Sequence, residues 1–182
     1  MNPEDEKTLT IARRTRKNLE YIYKRKSEKE DVEEFTQLLN SMLGMVIGLR
    51  EDYFKGSYVS WDDVEKSGLL QGKDNLKNIT GKTASLESSG LQQVNSFNQL
   101  VAKLRHAFAH NCFELIADKK SKEITGITVW NVPTGQDGKP INRIWEADIS
   151  EHDLKDLAYL IVEYIEKELG DPPQQGDLKN VK

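Results

Sequence analysis

The sequence predicts an all-α protein: an antiparallel four-helix bundle with a mid-chain loop and a small β-hairpin before its last helix. Three observations predict it. Four long segments repeat apolar residues at i, i+3, i+4, i+7, the spacing of one helix face. One pair of β-biased runs flanks a Pro/Gly/Asp turn. No run approaches the roughly 20 apolar residues needed to cross a bilayer, so the apolar stripes must be buried against each other. The chain has 182 residues, enough for one core and too few for two large ones. At 37% hydrophobic and 31% charged, it has the apolar content that a disordered chain lacks.

The first helix starts near Glu4–Glu6, after Pro3, and runs to about Lys26. Its apolar positions are Leu9, Ile11, Ala12, Leu19, Ile22 and Tyr23. Acidic residues lead it and basic ones trail, which suits the helix dipole. The stretch KRKSEKED then reads as a turn. Asp31 is placed to cap the second helix, with Glu33 and Glu34 in its first turn. Phe35, Leu38, Leu39, Met42, Leu43, Val46 and Ile47 follow at helical spacing. Gly44 and Gly48 interrupt that run, each at a cost of about 1 kcal/mol relative to Ala. They mark either a weak helix end or the close approach of a neighbour.

Ser60 reads as the cap of a short helix through Trp61-Asp62-Asp63-Val64-Glu65. The rest of 52–90 is less patterned, and its Gly/Ser-rich stretches read as an exposed loop. The third long helix spans about Leu91 to Ile116. Its core stripe is Val94, Phe97, Leu100, Val101, Leu104, Phe108, Cys112 and Leu115. "EITGITVWNV" and "INRIWEADI" around "PTGQDGKP" give the hairpin at about 124–148, with Trp130 and Trp145 either paired across it or capping the bundle. Ser150 with Asp153 three residues on opens the last helix. Leu154, Leu157, Ile161, Tyr164 and Ile165 form its stripe, to about Leu169. The expectation is one domain over 1–169 and a disordered tail over 170–182.

The net charge of −4 argues against nucleic-acid binding over the whole surface, so any such site is local. The single cysteine, Cys112, excludes an intrachain disulfide and a multi-cysteine zinc site, and fits a reducing compartment. The N-terminal segment has no apolar signal-like core. A soluble cytoplasmic protein without a membrane partner is expected.

The segment "KLRHAFAHNCFEL", residues 103–115, does not fit a plain amphipathic helix. Arg105 lies at the edge of the apolar stripe. His106 and His110 lie nearly opposite it, one turn apart, with Ala109 and Phe113 beside them. Small and aromatic residues around titratable ones point to a second covered face, under a partner chain, the 52–90 loop or another helix. Three chemistries compete for it. His106 and His110, with Glu114 continuing the row, have the i, i+4 spacing of a helical metal pair, but HExxH is absent and His152 is the only other imidazole. The residues also suit interface hydrogen bonds and an ion pair. Third, arginine binds phosphate bidentately and histidine exchanges protons near neutral pH, which suffices for metal-independent RNA cleavage. Cys112 reads as a small buried hydrophobe.

A second basic group, Arg13, Arg14, Arg16 and Lys17, with Lys24, Arg25 and Lys26 beyond it, is either a solvated ion-paired face or an RNA-backbone strip. Arg13 and Lys17 share a face and are the RNA-binding candidates. Asn18 and Asn40 read as buried polar partners.

"LRHAFAH", Leu104 to His110, resembles the R-x4–6-H motif of the HEPN superfamily (higher eukaryotes and prokaryotes nucleotide-binding). Arg105 matches the arginine, His106 the polar position after it, and His110 the histidine. "RRTRKNLEYI" and "EEFTQLLNSMLGMVIGLRE" are similar to the first two helices of a stand-alone bacterial HEPN branch found on plasmids and in defence contexts. The resemblance covers roughly 10–168, and the hairpin is less typical of it. It implies a homodimer through the third long helix, with the motif helices facing across a cleft. It implies an endoribonuclease that uses 2′-hydroxyl attack with no metal and no cofactor, in phage defence or beside an antitoxin or other regulatory protein. Arg105 would then bind phosphate and stabilise the transition state, His110 would move the proton, and His106 would orient. Other members of the superfamily only bind nucleotides or mediate interactions, so a non-catalytic module and a His-ligated metalloprotein stay open beside the nuclease.

Overall fold

The computed structural model describes residues 1–48, 59–82, 92–133 and 142–170. The chain is mostly helical and carries a small three-stranded antiparallel sheet.

Helix α1 is Pro3–Ser27. Asn2 caps it by accepting from the amides of Glu4 and Asp5, and Pro3 fills the first turn, where a missing N–H costs nothing. The chain leaves α1 through Lys29, whose φ is 63°. Helix α2, Glu34–Gly48, begins three residues after Asp31, so Asp31 does not cap it. Helix α3, Trp61–Lys66, has the expected cap: Ser60 Oγ accepts from Asp63 N, and Ser60 N donates to Asp63 Oδ2. A 3₁₀ turn follows at Asp74–Asn78. Of the expected loop, residues 52–58 and 83–90 lie outside the described residues, as does the tail at 171–182.

Helix α4 is Phe97–Ala109, much shorter than the predicted Leu91–Ile116. Residues 92–96 are not helical, and Leu91 lies outside the described residues. The stop at the far end has a local cause. Asn111 takes a left-handed conformation with φ 53°. Its amide donates to Phe108 O at 3.2 Å, and the amide of Cys112 donates to Ala107 O at 2.8 Å. That pair of bonds is the Schellman helix terminator, with Asn in the place glycine usually takes. Beyond it the chain is extended. Strand β1 is Phe113–Ala117, β2 is Ile124–Asn131 and β3 is Trp145–Ser150. Three residues assigned to the helical core stripe, Val94, Cys112 and Leu115, are therefore not on the helix. Leu115 is on β1 and 50% exposed, and Cys112 is half-buried in the turn.

The predicted hairpin is β2 with β3, and β1 joins it on the far side of β2. The register places Trp130 opposite Glu146 and Asn131 opposite Trp145, so the two tryptophans are not a cross-strand pair. Trp145 is fully buried and its Nε1 donates to Thr80 O. Trp130 is half-buried beneath the Arg143 guanidinium. The outer edge of β3 is occupied, with Lys82 N donating to Glu146 O and Gln92 N to Ile144 O. Helix α5, Glu151–Leu169, opens on Ser150 and Asp153 as expected.

The core is one connected cluster. Leu9, Ala12 and Leu19 of α1 meet Leu38, Met42 and Val46 of α2 and Leu154, Leu157 and Ile161 of α5. Leu104 and Phe108 of α4 pack towards α2 and the Ile127–Val129 face of the sheet. Asn18 and Asn40 are exposed, contrary to the sequence expectation, because each falls on the outer side of its helix. No helix among the described residues is long and apolar enough to cross a membrane.

Candidate functional site

Helix α4 enters on Ser96, whose hydroxyl accepts from Gln99 N, and its apolar side (Leu100, Leu104, Ala107, Phe108) is wholly buried. Burial on that side fixes what points away from it. Ala102, His106 and Ala109 are exposed along the outer face, and His110 is exposed at its end. Arg105 flanks this face and is half-buried, with its Nε shielded from water. The outer face of α4 is thus present, and among the described residues nothing covers His106, Ala109 or His110. Phe113, expected beside it, turns inward and meets Phe108 edge-on with ring centroids 5.7 Å apart.

His106 and His110 are brought together, with ring centroids 4.5 Å apart and planes inclined at 55°. His110 is the C-cap residue of α4, with φ −104° and ψ 11°. In a continuous helix Arg105 and His110 would diverge by about 140°. The amide of His110 still donates to His106 O at 3.2 Å, so His110 stays one turn beyond His106. Its carbonyl lies 3.6 Å from Cys112 Sγ, the thiol's hydrogen-bond partner. Among the described residues neither imidazole has a hydrogen-bond partner that would fix its tautomer.

The metal arrangement loses its third member. Glu114 sits on β1, past the terminator, and does not continue the histidine row. Among the described residues no three His, Cys, Asp or Glu side chains are grouped for a metal ion.

The electrostatics of this face differ from the rest of the chain. Residues 88–113 contain no Asp or Glu, in a protein that has 30 of them. Lys103, Arg105, His106 and His110 therefore stand on a helix without a single carboxylate. By contrast, a cavity of about 500 Å³ between the start of α2 and the β1–β2 turn is lined by Asp31, Glu33, Glu34, Glu123 and Glu151 against Lys26 and Lys122. Its sign is wrong for a polyanion.

The basic residues of α1 divide in two. Lys24, Arg25 and Lys26 are ion-paired with Glu28, Glu30 and Glu34, as a solvated paired face would be. Arg16 is tied to Glu166 of α5. Arg13, Arg14 and Lys17 are exposed and, among the described residues, have no carboxylate partner. Helix α1 packs on α2 and α5, whereas α4 packs on α2 and β2. The fold does not bring Arg13 and Lys17 directly beside Arg105. Sequence reasoning missed Asn111, although an asparagine directly after the motif histidine is a recognised helix-stop signal. It also missed Lys103, which lies i, i+3, i+7 with the two histidines.

No curated protein and no solved structure matches the chain. A family profile described as HEPN pEK499 p136 matches residues 1–171, which include α1 to α5, the sheet and the Arg105–His110 segment. The chain belongs to this HEPN family.

Proposed function

We propose that the protein is a metal-independent endoribonuclease of HEPN type, acting on RNA at a cleft formed by two copies of α4, in phage defence or beside an antitoxin. In this reading α1, α2, α4 and α5 are the four helices of the bundle. The observation that carries it is the exposed outer face of α4, in a segment without Asp or Glu over 88–113, with Arg105 on one flank and His106 and His110 together at the helix end. The 2′-hydroxyl attacks the adjacent phosphorus, the 5′-oxygen leaves, and a cyclic 2′,3′-phosphate remains. Arg105 holds the phosphate oxygens and offsets the charge that grows on them in the transition state. His110 carries the proton to or from the reacting oxygens, and His106 orients it. Arg13 and Lys17 contact the RNA backbone away from the reaction.

One observation favours a second reading. Neither imidazole is held by a hydrogen bond among the described residues. A HEPN module that only binds nucleotides or a partner protein has no need of such a hydrogen bond. A nuclease would obtain it from the second copy or from the RNA. Incubation of the purified protein with RNA in EDTA separates the two. The nuclease leaves cyclic phosphate ends, and His110→Ala lowers the rate by about 10²–10⁴-fold. Arg105→Ala lowers it as well, while both variants keep the wild-type melting temperature. RNA that stays intact under every condition, or wild-type cleavage by both variants, sinks the nuclease.

A further inference from the structure

Lys103 is three residues before His106 and seven before His110, so the three line one flank of α4, over about 10 Å of helix. Among the described residues, three other half-buried lysines have a carboxylate, Lys73 with Glu163, Lys77 with Glu65 and Lys82 with Glu146, and the fourth, Lys155, lies over the Tyr23 ring. Lys103 has none among the described residues. Its Nζ donates to the neutral Oε1 of Gln92 at 2.8 Å. Burial pushes its ammonium below the ordinary lysine range. Its turn of helix is also pinned. Asn131, 1% exposed at the end of β2, donates from Nδ2 to Lys103 O at 2.9 Å. A desolvated cation without a counter-ion is a cost to the fold unless an anion completes it. A lysine needed only to cover the core with its stem would gain by reaching water or a carboxylate.

We propose that Lys103 is a third cation of the α4 site and contacts the RNA phosphate next to the one held by Arg105 and His110. The inference rests on the RNA reading above and deepens it. Lys103 lies outside the Arg105–His110 motif segment. It sets how the strand runs along α4 rather than how the bond breaks.

The test is binding of a 2′-O-methyl RNA, which lacks the nucleophile, measured by fluorescence anisotropy over a series of salt concentrations. Lys103→Met weakens binding and reduces the slope of log K against log salt by about 0.7, the value of one single-strand phosphate contact. Lys103→Arg keeps the wild-type slope. Lys103→Gln repeats the loss and serves if the Met variant folds poorly. A purely structural lysine moves the melting temperature and leaves the slope alone, and that result overturns the inference while the RNA reading stands. A wild-type protein that binds no RNA removes both.

Discussion

His110 sits where α4 stops, and the residue that stops it is Asn111. The left-handed backbone of Asn111 lets the amides of Asn111 and Cys112 close back onto Phe108 and Ala107. A side chain with a Cβ and no compensating polar group is strained there by about 1–2 kcal/mol. Asn111→Ala is therefore expected to destabilise the protein by that amount, while Asn111→Gly stays within a few tenths of a kcal/mol of wild type. Urea unfolding measures both. An alanine variant as stable as wild type would show that the terminator lies elsewhere. The chemistry of the candidate site was legible in the sequence because Arg105, His106 and His110 are unusual residues at a distinctive spacing. Their geometry was not. It depends on one asparagine whose backbone state the helical periodicity does not report.

At the scale of elements, apolar spacing located α1, α2 and α5 because each buries one long stripe on a partner. It failed over 110–117. Phe108, Cys112 and Leu115 continue the helical phase, yet Phe113 and Leu115 also alternate as a strand does, and a short apolar run fits both periods. The two readings of the glycines in α2 separate in the same way. A Cβ at Gly44 would meet nothing within 4 Å, so Gly44 is a weak point and not a close approach. Gly44→Ala is expected to raise stability by about 0.5–1 kcal/mol. Gly126, on β2, is the opposite case, since an added Cβ would lie 2.4 Å from Ile149 O on β3. Gly126→Ala must push two paired backbones apart and is expected to cost about 1–3 kcal/mol. Melting curves of the two variants should move in opposite directions, and a shared direction would refute this account of the sheet.

At the scale of the whole molecule, Glu146 ties separate segments together. It accepts from Lys82, which precedes the 83–91 segment, and from Arg143 next to β3. Burial pushes its carboxyl upward, but the hydrogen bonds from Lys82 and Arg143 outweigh that and hold it below its ordinary value of 4.5. Its folded value is thus lower than its unfolded one. The stabilisation is complete above about pH 4.5 and fades as the pH falls through the folded value. Glu146→Gln is expected to melt lower than wild type near neutral pH, with the gap narrowing in acid. A gap that stays constant with pH would mean that the pairing contributes nothing. The open face of α4 carries its own prediction at this scale: the 20.8 kDa chain has a solution mass of about twice that. A strict monomer removes the composite cleft from the proposed mechanism, though not the family assignment.

By itself the sequence determined where helices α1, α2 and α5 lie, the caps at Ser60 and Ser150, the β2–β3 hairpin and the candidate residues Arg105, His106 and His110. Each of these is set by side chains close along the chain: a periodic stripe, a hydroxyl three residues from an amide, or a motif at fixed spacing. Only the tertiary structure decided that β1 leaves the helix to pair with β2, that Trp145 and not Trp130 fills the core, and that Lys103 is half-buried without a carboxylate among the described residues. Those outcomes depend on contacts between residues far apart in sequence. The energy of such contacts is set by which surfaces the fold brings together, and no local pattern contains it.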